Sequence, residues 1–247
     1  MKNFLHIIRF LFLPLLFAII LPGLYSCSKA NMDNTTYQPV PASNADTTYK
    51  NYLALGDSYT IGQSVSEAER FPEQTVQLLK SQTIKIGNPY IIATTGWTTG
   101  DLIDAINKNP PPNNYSAVTL LIGVNNQFQG RSIDEYKTQF TLLLNRSIQF
   151  AEGKPSHVFV LSIPDYSVTP FARNYDTAKI AREIDAFNLA NKNISVQLGV
   201  NYLDITPISR EAKNDPSLIA NDGLHPSGLQ YKRWAALLAP LMKPFLQ

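Results

Sequence analysis

Two short stretches of this chain carry residue types suited to acyl-transfer chemistry. Gly56-Asp57-Ser58-Tyr59-Thr60 follows an apolar run over residues 52–55 and precedes a helical pattern. A serine placed where a buried strand turns into a helix holds its hydroxyl at the mouth of the sheet. Its own backbone N–H is unpaired at the helix end, so one residue can attack a carbonyl and help hold the oxyanion that results. Read alone, the pentapeptide is a turn closed by an N-cap serine. Near the other end of the chain stands Asn221-Asp222-Gly223-Leu224-His225-Pro226. An aspartate three residues before a histidine on a tight turn can accept from the ring's Nδ1–H, fixing the tautomer that leaves Nε2 free as a base.

Such groups need a rigid frame, and the chain supplies one. Apolar runs at 52–55, 91–93, 117–122, 158–163 and 200–205 are mostly continuous rather than alternating, the pattern of strands buried on both faces of a parallel sheet. Helices are predicted between and after them. One opens at Ser132 with Glu135 in a capping-box pattern and stops at Gly153. A second places Ile180, Ile184, Phe187, Ile194 and Leu198 on one face and ends at Gly199; a third starts near Leu229 and carries Tyr231, Trp234, Leu238 and Leu241. Pro110-Pro111-Pro112 makes a stiff loop before the third strand. This alternation predicts an α/β fold, a three-layer α/β/α sandwich with a mostly parallel, doubly wound (flavodoxin-like) sheet of about five strands. Reactive groups in such a fold gather at the carboxyl ends of the strands. After the second strand comes Thr94-Thr95-Gly96-Trp97, where a glycine lets the backbone approach a ligand, or simply makes a turn. After the third comes Gly123-Val124-Asn125-Asn126, where an asparagine amide could donate to an oxyanion, or merely fill a loop. His157 falls at the start of the fourth strand, on the opposite edge, and reads as structural. Asp165 and Tyr166, at that strand's end, could contact a leaving group, but read rather as an ordinary loop.

The amino terminus bears Lys2 and Arg9 with no acid, then an apolar segment from Phe10 to Leu21, then Leu24-Tyr25-Ser26-Cys27. The segment is shorter than the roughly 20 residues a membrane span requires, so residues 1–26 read as a secretory signal. With cysteine after the presumed cut and leucine three places before it, the segment resembles a bacterial lipoprotein signal, which implies lipidation of Cys27. Residues 27–49, rich in Asn, Thr, Ser, Pro and Ala, read as a flexible tether spanning roughly 25 Å as a random coil. Residues 50–247 are left as one domain, large enough to hold itself by burial without a disulfide, since Cys27 is the single cysteine. Lys2 and Arg9 leave with the signal, so the 21 basic residues fall to 19 against 19 acidic ones. A neutral domain gives no electrostatic case for nucleic acid or an anionic membrane surface; the lipid alone would anchor it.

Taken together, the order and placement of these features resemble the SGNH hydrolase superfamily, also called GDSL esterases and lipases, from about Tyr52 to the last helix. The nucleophile motif matches Gly56-Asp57-Ser58, the oxyanion glycine Gly96, the oxyanion asparagine Asn125, and the Asp-x-x-His block Asp222 and His225. Two positions depart from the family pattern: Tyr59 replaces the usual leucine after the serine, and Asn126 the usual aspartate after the asparagine.

The resemblance implies a serine hydrolase working through an acyl-enzyme: Ser58 attacks, His225 takes its proton, Asp222 steadies the imidazolium, and Ser58, Gly96 and Asn125 hold the oxyanion. No metal or organic cofactor is required. Tyr59, Trp97 and Phe128 neighbour these residues and are candidates for the wall of a small acyl pocket. The expected substrate is a short-chain acyl ester of a small molecule or glycan. The expected setting is the bacterial cell envelope, facing periplasm or exterior, with the domain monomeric. Two rival readings remain: an envelope O-acyltransferase moving an acetyl group to a glycan hydroxyl, and a non-catalytic surface lipoprotein that binds glycans.

Overall fold

The computed structural model describes residues 49–247; the predicted signal, Cys27 and nearly all of the tether lie outside the described residues. Five strands form one parallel sheet: β1 (Tyr52–Gly56), β2 (Tyr90–Ala93), β3 (Ala117–Leu121), β4 (Val158–Leu161) and β5 (Asn201–Leu203), in the order β2-β1-β3-β4-β5. In β1, β3 and β4, the three inner strands, every residue is buried, and this is why their sequences are continuously apolar. The outer strands β2 and β5 are only partly covered.

The first crossover runs outward from β1 to β2, and all later ones run back through β3 to β5. Right-handed connections therefore put the first helix and the later ones on opposite faces. In accordance, α2 (Phe71–Ser81), from the first crossover, packs along α8 (Gly228–Met242), which follows β5; α3 (Thr99–Lys108), α5 (Ile133–Phe150) and α6 (Thr177–Gln197) pack in succession. Short helices α1 (Ser58–Ile61), α4 (Val124–Phe128) and α7 (Thr206–Glu211) begin at or just beyond the carboxyl ends of β1, β3 and β5. Among the described residues no helix is long and apolar enough to cross a membrane.

The predicted helix starts have visible causes. Ser132 caps α5 by accepting from Glu135 N (3.1 Å), and Ser227 caps α8, which begins at Gly228, one residue before the predicted start. The fourth strand is shorter than its apolar run. The side chain of Asn188 takes over Ile163, accepting from its N (2.7 Å) and donating to its O (2.9 Å), so this backbone leaves the ladder. Ser162 likewise turns its hydroxyl to the amides of Ile205 and Thr206, ending β5 at Leu203. His157 lies at the sheet's amino edge, its Nδ1 2.7 Å from Ser116 O, away from the carboxyl edge where the cleft lies.

Candidate active site

The sheet reverses its order between β1 and β3, and the crevice at such a switch point opens beyond the strands' carboxyl ends. Ser58 follows one of these strands and Asn125 the other. The turn after β1 tolerates nothing larger than glycine at Gly56, where a Cβ would strike the Thr60 side chain and the Leu121 carbonyl. Asp57 caps α1, its Oδ1 accepting from Tyr59 N (3.0 Å), so Ser58 is the first helical residue and lines the cleft. Among the described residues Ser58 N donates to nothing else.

His225 arrives from the loop before α8. Asp222 Oδ2 lies 2.6 Å from its Nδ1 and accepts from Ser64 Oγ at 2.6 Å, while Oδ1 accepts from the amides of Leu224 (2.9 Å) and His225 (3.0 Å). Partial burial opposes ionisation of Asp222, but these four hydrogen bonds outweigh it and hold the carboxyl at about 2. The carboxylate is therefore an acceptor and selects the tautomer with its proton on Nδ1, in which Nε2 is the acceptor. Ser58 and His225 line the same cleft with no hydrogen bond between them in this structure. Such contacts commonly tighten only when substrate binds.

Gly96 also lines the cleft. Its φ of +86° is a conformation glycine adopts without strain, and its N–H has no partner among the described residues. Asn125 Nδ2 donates to Trp97 O (2.9 Å), which fixes the amide plane and leaves its second N–H available. Asn126 points the other way: its Oδ1 accepts from Thr99 N (3.0 Å) and its Nδ2 donates to Thr99 Oγ1 (2.7 Å), tying the asparagine loop to the start of α3. The position thus meets its local hydrogen-bonding needs with an amide.

The cleft encloses about 130 Å³. Of the three predicted wall residues, Tyr59 and Phe128 line it. Tyr59 is buried, its ring 5.5 Å from the His225 ring and 6.5 Å from Trp234 of α8. Trp97 corrects the sequence reading. Its side chain packs on the core instead, and its contribution is the carbonyl that orients Asn125. The neighbouring Thr95 takes the place at the cleft, with Val124, Leu224 and Phe171, none of which the sequence singled out, and with Tyr166, which the sequence reading set aside as loop. Tyr166 donates from Oη to Gln127 Oε1 (2.9 Å), whereas Asp165 is structural, paired with Arg210 at 2.8 Å. Ser64, held at φ 68°, was also missed; its partner lies 158 residues away, and no local pattern announces that contact.

Asp57 is fully buried and its Oδ2 has no partner among the described residues. Burial pushes its carboxyl up to about 7, with the amides of Tyr59 and Gly123 opposing only in part. The folded state therefore keeps a proton that the unfolded chain gives up near the ordinary carboxylate value. Stability from this group is complete below about pH 4 and falls as pH rises to about 7. Asp57→Asn, which keeps the cap, is expected to match the parent at pH 4 and exceed it at pH 8 by on the order of a few kcal/mol, read from urea midpoints.

No three His, Cys, Asp or Glu side chains cluster to hold a metal among the described residues. What the cleft brings together is a serine at a helix start, a carboxylate-oriented imidazole, and the residues Gly96 and Asn125. No curated protein matches the chain. Solved structures with the same fold include an acetylxylan esterase, Axe2, from Geobacillus stearothermophilus (18% identity, 80% of this chain and 94% of that one, TM-score 0.57). Others are the psychrotrophic esterase EstA from Pseudoalteromonas sp. (17%, 79% and 93%, 0.53) and TesA (16%, 80% and 100%, 0.57). The model of the GDSL-like Lipase/Acylhydrolase family matches residues 54–233, most of the chain and every element that builds the cleft; the chain belongs to that family and is an esterase/acylhydrolase of the SGNH (GDSL) type.

Proposed function

We propose that the protein hydrolyses short-chain acyl esters through a covalent acyl-enzyme on Ser58. The carrying observation is the 2.6 Å contact of Asp222 with His225 Nδ1, which reserves Nε2 as the acceptor on a ring that lines the same cleft as Ser58. As Ser58 Oγ bonds to the ester carbonyl carbon, His225 Nε2 takes the hydroxyl proton and Asp222 stabilises the imidazolium. Charge on the carbonyl oxygen is met by the N–H groups of Ser58 and Gly96 and the free N–H of Asn125. The C–O bond to the alcohol then breaks, and the alcohol leaves with the proton from His225. Water, deprotonated by the same imidazole, attacks the acyl carbon and releases the acid and the free serine.

A cavity of about 130 Å³ lined in part by Tyr59, Val124 and Leu224 suits a short acyl group. Profiling 4-nitrophenyl esters from acetate to palmitate tests this: kcat/KM is expected to peak at two to four carbons, and a maximum at long chains would overturn the reading. Asn125→Ala is expected to lower kcat by about 10²- to 10³-fold with little change in KM, because its N–H acts on charge that develops only in the transition state.

A further inference from the structure

The cleft has an aromatic mouth that the proposed chemistry leaves unused. Phe128 of α4, Tyr166, Phe171 and Tyr175 form one cluster. Ring centroids are 6.2 Å apart for Phe128 and Tyr166, 6.0 Å for Phe128 and Phe171, 6.3 Å for Phe128 and Tyr175, and 5.5 Å for the near-parallel pair Phe171 and Tyr175. Three of the four are exposed: Phe128 48%, Phe171 38% and Tyr175 51%. A contiguous exposed apolar patch bordering a cleft marks a ligand surface rather than ordinary packing. It is also held in place. Phe171 N donates to Gly223 O (2.9 Å), tying the aromatic segment to the loop that carries Asp222 and His225.

Past the rings the same surface continues into a groove of about 280 Å³. Phe128, Tyr166 and Tyr175 wall it, and Gln127, Asp176, Lys179 and Glu183 supply its polar groups. The single lysine there is already paired, Lys179 Nζ lying 3.7 Å from Glu183 Oε1, and Asp176, which caps α6 by accepting from Lys179 N, leaves the groove net negative. An anionic membrane surface finds no surplus positive charge here. A hydrocarbon chain would strip water from four polar side chains and return no hydrogen bonds. A pyranose ring has an apolar C–H face that fits an aromatic platform and a rim of hydroxyls that fits such a groove.

We propose that the alcohol part of the substrate is a sugar unit of an acylated glycan, stacked on Phe128, Phe171 and Tyr175 with its hydroxyls toward Asp176, Lys179 and Glu183. The inference rests on the serine-hydrolase reading and adds the substrate's other half to it. Tyr175 does not line the cleft, which makes it the residue to vary. The test compares kcat/KM for O-acetylated xylo-, manno- and chito-oligosaccharides with kcat/KM for 4-nitrophenyl acetate, in the parent, Tyr175→Ala and Tyr175→Phe. The ratio of best sugar ester to nitrophenyl ester is expected to fall about tenfold in Tyr175→Ala, through KM, and to be retained in Tyr175→Phe, which keeps the ring. A ratio unmoved by Tyr175→Ala, or sugar esters untouched while 4-nitrophenyl acetate is cleaved, overturns the glycan assignment and leaves the hydrolase reading standing. Inactivity of the parent towards every ester overturns both.

Discussion

Ser58→Ala is expected to abolish ester hydrolysis, lowering kcat by on the order of 10⁶-fold, with the thermal midpoint within a few degrees of the parent. The activity loss follows from the bond that forms at Oγ: without it no acyl-enzyme exists, and what remains is the contribution of the oxyanion N–H groups and binding alone. Stability is spared for reasons visible in the fold. The Ser58 hydroxyl bonds to no other described group, so its removal leaves no orphaned partner. Alanine at the first position of α1 also keeps the helix and the Asp57 cap. A fluorophosphonate reagent reads the same point directly. It should label the parent once and the variant not at all; a labelled or active Ser58→Ala protein would move the nucleophile elsewhere.

Asp222→Asn should cost about 10⁴-fold in kcat, although it changes a single atom. The hydrogen bonds around Asp222 say why. Oδ1 accepts from two backbone amides, Leu224 and His225, so an asparagine keeps its oxygen there and places its NH₂ where Oδ2 stood. That NH₂ donates to Nδ1 of His225, which forces the ring proton onto Nε2, the atom that must take the serine's proton. The NH₂ accepts nothing from Ser64, whose hydroxyl also loses its partner. The expected readout is a collapse of kcat with KM nearly unchanged. The parent should also be more stable than the variant above about pH 4, with the difference shrinking as pH falls through about 2, where Asp222 itself takes a proton. A loss of kcat below tenfold would show that His225 is oriented by something other than this carboxylate.

Much of this site could be read from the chain because its key geometry is local. Asp222 and His225 are three residues apart on one turn, and their contact is made by that turn rather than by the rest of the fold. Ser58 follows a five-residue run that can be little else than an inner strand. The errors share one cause as well. Trp97 is adjacent to Gly96 in sequence, but a backbone in which Gly96 sits at φ +86° does not carry its neighbour's side chain in a direction that adjacency predicts. Phe171 and Leu224 reach the cleft from segments far apart in the chain, held side by side by a single backbone hydrogen bond between Phe171 and Gly223.

Periodicity, capping and short-range spacing belong to the sequence, because a residue's burial on both faces or its place on a turn is set within a few neighbours. On that footing the chain by itself determined the parallel α/β class, the inner strands, the Ser132 cap of α5, and the short spacing that sets Asp222 against His225. The tertiary structure alone decided the strand order that opens the crevice between β1 and β3, and the turn of Tyr59 into the cleft. It alone set Ser64 against Asp222 and gathered four aromatic rings at the mouth. Each of these depends on contacts between residues tens to more than a hundred positions apart, whose free energy is settled only when the packed layers meet.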